Sequence, residues 1–131
     1  MKHNLRTLAE IHQSENERAF FFHHREVLED NLRLWRSGEK SLKIAYSLKA
    51  NYDEKILSFF ASKCDYLEVA SLDEFELASQ YISTRLILVN GPIYTINDIR
   101  VICSSGAVFI IDSLRQLEMI NELQQDSLDV F

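Results

Sequence analysis

The chain has 131 residues, of which 47% are hydrophobic and 26% are charged, and its net charge is −6 at pH 7. This length and hydrophobic content are typical of one folded domain and argue against wholesale disorder. An acidic chain without a basic stripe argues against a nucleic-acid partner or an anionic membrane surface, and no stretch is apolar enough to span a bilayer.

The predicted elements begin with a weakly helical arm over residues 1–18 and a short aromatic strand over residues 19–22. Apolar side chains then recur at helical spacing, which predicts a helix over residues 24–36. The segment 37–40 contains Gly38 and is predicted to end that helix.

From residue 42 onward, short apolar runs alternate with helical patterns. Strands are predicted at residues 42–48, 66–70, 86–89 and 108–111, with a possible fifth at 128–131. Helices are predicted at residues 53–61, from Ser71, at residues 95–103 and from Ser113. The strand centres are about 20–22 residues apart, the spacing of a βα repeat with short loops. The fold class is therefore α/β, with successive parallel βα units that form either an open sheet or half of an eight-unit barrel. The length favours the open sheet, whereas a chain that ends in a strand-like segment favours a piece of something longer.

The end of the first of these strands carries the candidate site. Because side chains alternate along a strand, Lys49 is expected to share a face with the small residues Ala45 and Ser47. If Glu68 of the next strand points the same way, a carboxylate lies beside an amine at the ends of two neighbouring strands. Such a lysine can carry out imine chemistry. On spacing alone, a structural ion pair between the two residues is the simpler interpretation.

Four segments resemble one enzyme family in order and in spacing. Residues 46–51 read Tyr-x-x-Lys-Ala-Asn, which resembles the lysine motif of fold-type III pyridoxal-phosphate enzymes. The other segments are residues 67–71 followed by Glu74, residues 89–92 with their Gly-Pro turn, and residues 111–113 followed by Leu117. They are similar to the diaminopimelate, ornithine and arginine decarboxylases, and they fit the alanine racemases less well.

The resemblance implies a cofactor and roles for two residues. Lys49 would hold pyridoxal 5′-phosphate as an internal aldimine, and the cofactor would serve as electron sink while a basic or diamino acid loses its carboxylate. Glu68 lies where the family usually has aspartate, near the lysine and the cofactor. Tyr94 falls where many relatives have a lysine, and the resemblance gives it no role. The implied partners are a small amino-acid substrate and a second copy of the chain in a homodimer.

The resemblance also implies that much of the family's site is missing. The stacking histidine, the glycine-rich phosphate segment, the acidic partner of the ring nitrogen and the closing β-domain have no counterpart in this sequence. We therefore interpret residues 19–131 as the N-terminal half of an alanine-racemase-like TIM barrel, preceded by an arm at residues 1–18. Half a barrel leaves sheet edges and an inner face open, which predicts self-association or low stability.

Two other functions remain open at this point: a racemase of the same fold, and a non-catalytic regulatory or binding homologue. No metal site is predicted, because the adjacent His23 and His24 would point in opposite directions on a strand. Cys64 and Cys103 show no C-x-x-C spacing and the N-terminus has no secretory signal, so we expect buried thiols in a cytoplasmic protein.

Overall fold

A computed structural model describes residues 23–38, 41–92 and 94–128. The chain divides into two compact units, one up to Leu42 and one from Lys43 onward. The predicted arm at residues 1–18 and the predicted strand at residues 19–22 lie outside the described residues. No helix within the described ranges is both long and apolar enough to cross a membrane.

The first unit contains helix α1, Arg25–Gly38, as predicted. Its exposed surface carries charge pairs one turn apart: Arg25 Nε lies 3.2 Å from Glu29, and Arg33 Nη1 lies 2.8 Å from Asp30. Such pairs each stabilise a helix by a few tenths of a kcal/mol (about 0.2–0.5). None of the residues of α1 is buried.

The second unit is built on a parallel sheet of four strands in the order β1-β2-β3-β4. The strands are β1 Ala45–Ser47, β2 Tyr66–Val69, β3 Ile87–Val89 and β4 Val108–Phe109. Each strand pairs with the next one along the chain, so the four are successive βα units wound in one direction. This confirms the predicted α/β class and the parallel order of the strands.

Helices follow each strand of this unit. They are α2 Glu54–Ala61, α3 Leu72–Ser79, α4 Ile96–Ser104 and α5 Leu114–Leu128. Asp53, Ser71 and Thr95 cap three of these helices by accepting hydrogen bonds from backbone N–H groups of the first turn. Such caps satisfy donors that have no partner within the helix. Short 3₁₀ turns lie at Leu48–Ala50 and Thr84–Leu86.

The core lies between one face of the sheet and the helices. Leu67 and Val69 of β2 and Ile87 and Val89 of β3 are fully buried on that face. They pack with helix residues, among them Leu57, Phe75, Ala78, Ile99 and Ile102. The opposite face carries the alternate residues, of which the β4 residue Val108 is 46% exposed. Two faces with unlike residues are the expected result of period-two alternation along each strand.

Several sequence-based boundaries were wrong. The first strand is Ala45–Ser47 and not residues 42–48, because only these three residues pair with β2. Before them Ile44 N donates to the Asp65 side chain, and after them the chain enters the 3₁₀ turn at Leu48. The last strand ends at Phe109 and not at residue 111. Leu128, predicted to begin a fifth strand, is the final residue of α5, and the rest of that segment lies outside the described residues. Cys64 and Cys103 are both free thiols, but Cys103 is exposed, contrary to the prediction that both are buried.

Candidate functional site

The carboxyl ends of all four strands lie at one edge of the sheet, because the strands are parallel. The residues that follow them are Lys49 after β1, Ala70 after β2, Gly91 after β3 and Asp112 after β4. In α/β folds this edge is where ligands bind and where chemistry takes place.

Lys49 lies in the 3₁₀ turn Leu48–Ala50 that directly follows β1, and its side chain is exposed. It therefore lies just beyond the strand and not on the strand face that alternation predicted. Leu48, the residue before it, is fully buried and anchors the turn in the core. Among the residues that the structure describes, no hydrogen bond or ion pair involves the Lys49 ammonium group. The amine is thus available to a ligand.

Glu68 lies in the middle of β2 and is half-buried. Its strand register places it opposite Ser47 on one side and Leu88 on the other. Glu68 and Ser47 therefore share the face of the sheet away from the helices, two residues before Lys49. The Ser47 hydroxyl is buried and has no hydrogen-bond partner among the described residues.

Within the described ranges, Lys49 and Glu68 form no ion pair, so the simpler interpretation of a structural pair is not supported. A joint role of Lys49 and Glu68 in binding a cofactor stays a prediction.

The turn after β2 is held by a carboxylate. Glu74 Oε2 accepts a hydrogen bond of 2.7 Å from Ala70 N, while Glu74 N donates to the Ser71 hydroxyl at 3.2 Å. The spacing of Ser71 and Glu74 predicted this helix start. The carboxylate reaches one residue further back than the capping box expected from that spacing.

The turn after β3 packs tightly against the turn after β2. A methyl group added to Gly91 would lie 2.2 Å from the Ala70 carbonyl oxygen and 2.8 Å from the Tyr94 hydroxyl oxygen. Only a residue without Cβ fits so close an approach. The Gly-Pro turn therefore places two strand ends side by side.

Gln116, the buried polar residue of α5, connects the last two strand ends. It is 3% exposed. Its Nε2 donates to the Gly91 carbonyl at 2.8 Å, and its Oε1 accepts from Asp112 N at 2.9 Å. The side chain thus satisfies two backbone groups from different loops. Asp112 and Ser113 act as the predicted helix start, since Ser113 Oγ accepts a bond of 3.3 Å from Gln116 N.

Tyr94 lies beside the turn after β3, and the resemblance implies no role for it. It is 7% exposed, and its ring meets Phe109 edge to face at a centroid distance of 5.5 Å. Its hydroxyl has no partner among the described residues. Burial, and then the negative charges of Glu74, Glu68, Asp98 and Asp112, raise the pKa of Tyr94 to about 12. The residue is therefore a neutral phenol whose ionisation is opposed by burial and by nearby negative charge.

A cavity of about 640 Å³ lies between the start of α4 and α5. Its lining includes Pro92, Tyr94, Arg115, Gln116 and Glu122 but neither Lys49 nor Glu68. The cavity therefore shares Tyr94 and Gln116 with the ends of β3 and β4, but it does not include the end of β1 that carries Lys49. Within the described ranges, no cluster of histidine, cysteine and carboxylate residues could hold a metal ion.

Comparison with known proteins identifies the fold. Residues 25–130 match the family model described as the pyridoxal-binding domain of pyridoxal-dependent decarboxylases. No curated protein sequence matches the chain at a significant level.

Among solved structures, the arginine decarboxylase of Paramecium bursaria Chlorella virus aligns with a TM-score of 0.76 at 22% identity, over 92% of this chain and 33% of its own. The diaminopimelate decarboxylase of Helicobacter pylori, complexed with L-lysine, aligns with a TM-score of 0.71 at 19% identity, over 91% of this chain and 31% of its own. These two structural similarities show that the chain has the fold of the corresponding part of these decarboxylases.

The same viral arginine decarboxylase bound to agmatine aligns at 25% identity with a TM-score of 0.65, over 72% of this chain and 26% of its own. This chain therefore spans between 26% and 33% of the length of these three structures. A partial barrel accounts for that coverage. The family model implies pyridoxal phosphate as the cofactor, and the chain belongs to the pyridoxal-dependent decarboxylase family, of which it carries the N-terminal, pyridoxal-binding part.

Proposed function

We propose that this chain is the N-terminal part of the barrel of a decarboxylase that acts on a basic or diamino acid, and that Lys49 binds the cofactor aldehyde. The observation that carries the proposal is the position of Lys49 at the carboxyl end of β1, where its exposed amine makes no hydrogen bond or ion pair with any residue that the structure describes. It lies within the family match over residues 25–130.

The choice of a basic substrate rests on the relatives. One arginine decarboxylase structure holds agmatine and one diaminopimelate decarboxylase structure holds L-lysine. Both molecules carry a cationic group at the end of an alkyl chain. We extend this chemical class, and not a single substrate, to the protein that contains this chain.

The residues of this chain fit one end of pyridoxal phosphate. The Lys49 amine suits the aldehyde group. The phosphate needs a cradle of backbone N–H groups, typically from a glycine-rich loop. The three glycines of the sequence are scattered, and the space beside Gly91 is filled by Ala70 and Tyr94. The chain therefore supplies the lysine of the site but offers no glycine-rich loop for the phosphate.

The residues of this chain would bind the cofactor and orient the reacting groups. When bound, the cofactor draws electrons from the substrate α-carbon so that the carboxylate can leave as carbon dioxide. Lys49 would anchor the aldehyde carbon, and Glu68 would place a carboxylate on the adjacent strand. Gly91 and Gln116 would keep the neighbouring strand ends at fixed separations, which preserves the orientation of the reacting groups.

The test is uptake of pyridoxal phosphate by the chain, followed by the visible absorbance of the bound cofactor. Lys49→Ala is expected to lose this absorbance, whereas Lys55→Ala, an exposed lysine on α2, is expected to keep it. Absorbance that is unchanged in Lys49→Ala would refute Lys49 as the binding residue.

A second measurement separates the decarboxylase from its alternatives. Carbon dioxide release and substrate epimerisation are followed with lysine, ornithine, arginine and diaminopimelate. Because this chain spans only 26–33% of the length of the solved decarboxylases it matches, we expect no release from the chain alone. Epimerisation with cofactor bound would favour a racemase, and failure to bind the cofactor would favour a non-catalytic homologue.

A further inference from the structure

Lys49 lies in a turn that is too short to be stable without contacts from other residues. Leu48–Ala50 is a single 3₁₀ turn of three residues, with Ser47 before it and an extended Asn51 after it. Ser47 makes no side-chain cap bond to the turn. Because 3₁₀ turns have poor hydrogen-bond geometry, contacts from outside the turn must fix the position of Lys49.

Tyr46 supplies one of these contacts. Its hydroxyl donates a hydrogen bond of 2.7 Å to the carbonyl oxygen of Asn51, five residues further along the chain. This bond spans Lys49 and closes the segment from the end of β1 to the start of the next loop. With Leu48 fully buried on the other side, the turn is fastened both before and after the lysine.

The Tyr46 hydroxyl is itself held in place by its ring. The ring stacks on Phe60 of α2 with a centroid distance of 3.9 Å and an interplanar angle of 7°. Burial raises the pKa of Tyr46, against the lowering effect of its bond to Asn51, so the phenol remains a donor at neutral pH.

Further hydrogen bonds connect Asn51 to the start of α2. Asn51 Oδ1 accepts a bond of 2.9 Å from Asp53 N, and Asp53 Oδ1 accepts one of 3.0 Å from Lys55 N as the cap of α2. The turn that carries Lys49 is therefore linked to the start of a helix by consecutive hydrogen bonds. A rigid support of this kind keeps a reacting group in its productive position.

We infer that Tyr46 is a positioning residue for Lys49, and that its hydroxyl holds the Lys49 turn in the geometry that cofactor attachment needs. This inference rests on the proposed role of Lys49. Packing alone does not require the Tyr46 hydroxyl, because a phenylalanine ring could stack on Phe60 in the same way. The inference therefore gives the hydroxyl of this tyrosine a function of its own.

Tyr46→Phe tests the inference, since it keeps the ring stack and removes only the donor. Tyr52→Phe is the matched control: Tyr52 lies in the same loop and is 68% exposed, and within the described ranges its side chain makes no hydrogen bond or ring contact. The first measurement is hydrogen exchange of the backbone amides of the Lys49 turn without cofactor. Loss of one hydrogen bond is expected to speed their exchange roughly three- to tenfold in Tyr46→Phe, with no change in Tyr52→Phe.

The second measurement is the rate at which pyridoxal phosphate becomes fixed to Lys49 by borohydride, with Lys55 as an internal reference. Tyr46→Phe is expected to slow fixation at Lys49 by a similar factor and to leave Lys55 unchanged. Exchange that accelerates equally in the turn and in β2, or an unchanged rate at Lys49, would overturn the inference while the role of Lys49 stands. Absence of fixation at Lys49 in the unsubstituted chain would overturn both.

Discussion

Gly91→Ala tests whether the ends of β2 and β3 touch as closely as the structure shows. The new methyl carbon would lie 2.2 Å from the carbonyl oxygen and 2.9 Å from the carbonyl carbon of Ala70, where ordinary contact begins at 3.4 Å. The clash is with backbone, so one of the two loops must move by more than an ångström. Overpacking of this severity costs about 3 kcal/mol.

The movement would also strain the bonds that hold these loops. Gly91 O accepts from Gln116 at 2.8 Å, and Asn90 N donates to Val69 O at 2.8 Å. Weakening one of them adds about 1 kcal/mol, so the free energy of unfolding is expected to fall by about 3–4 kcal/mol. The assay is urea unfolding followed by circular dichroism.

Gly38→Ala is the matched control. Nothing lies within 4 Å of a methyl group added to Gly38, which is the last residue of α1. The control is expected to change stability by less than about 1 kcal/mol, in the favourable direction. Addition of Tyr94→Phe to Gly91→Ala removes the 2.8 Å contact with the hydroxyl but leaves the clash with Ala70. A loss below about 1 kcal/mol in Gly91→Ala would refute the close approach.

Two further predictions concern the buried phenol of Tyr94 and the exposed apolar residues at β4. Because the pKa of Tyr94 is raised from 10.0 to about 12, the unfolded chain releases this proton first as pH rises. Stability is therefore expected to fall by about 2–3 kcal/mol between pH 10 and pH 12. Tyr94→Phe should reduce this slope to the part that the raised pKa of Tyr46 contributes, and denaturant titrations that keep the full slope would contradict the assignment. Self-association stays a prediction from the sequence: Val108→Lys and Ile110→Lys, at positions 46% and 39% exposed in and just after β4, are expected to lower the sedimentation coefficient of the chain. A monomer with or without the substitutions would contradict it.

The order of elements could be predicted because it depends on local signals. Ser71 and Thr95 cap helices where hydroxyl residues precede apolar periodicity. Strand lengths could not be predicted, since pairing depends on the neighbouring strand and not on the apolar run alone. Leu42 falls within the first predicted strand, yet it is 41% exposed and lies outside the paired residues.

The position of Lys49 at the end of the first strand could be predicted, because a motif of six consecutive residues marks it, and its role toward the cofactor stays a prediction. The contacts that support the site could not. Gln116 lies three residues after the predicted helix start at Ser113, but its bond to Gly91 joins residues 25 positions apart. No local pattern signals such a bond. Tyr94 likewise gains its significance from carboxylates on other elements.

Peptide mapping tests most directly whether Lys49 is the residue that binds the cofactor. The chain is incubated with pyridoxal phosphate, reduced with borohydride and digested, and the modified lysines are located by mass spectrometry. We expect the modification on Lys49 in clear excess over Lys43, Lys55 and Lys63, and its loss in Lys49→Ala without transfer to another lysine. Modification spread evenly over these lysines, or absent from Lys49, would contradict the account.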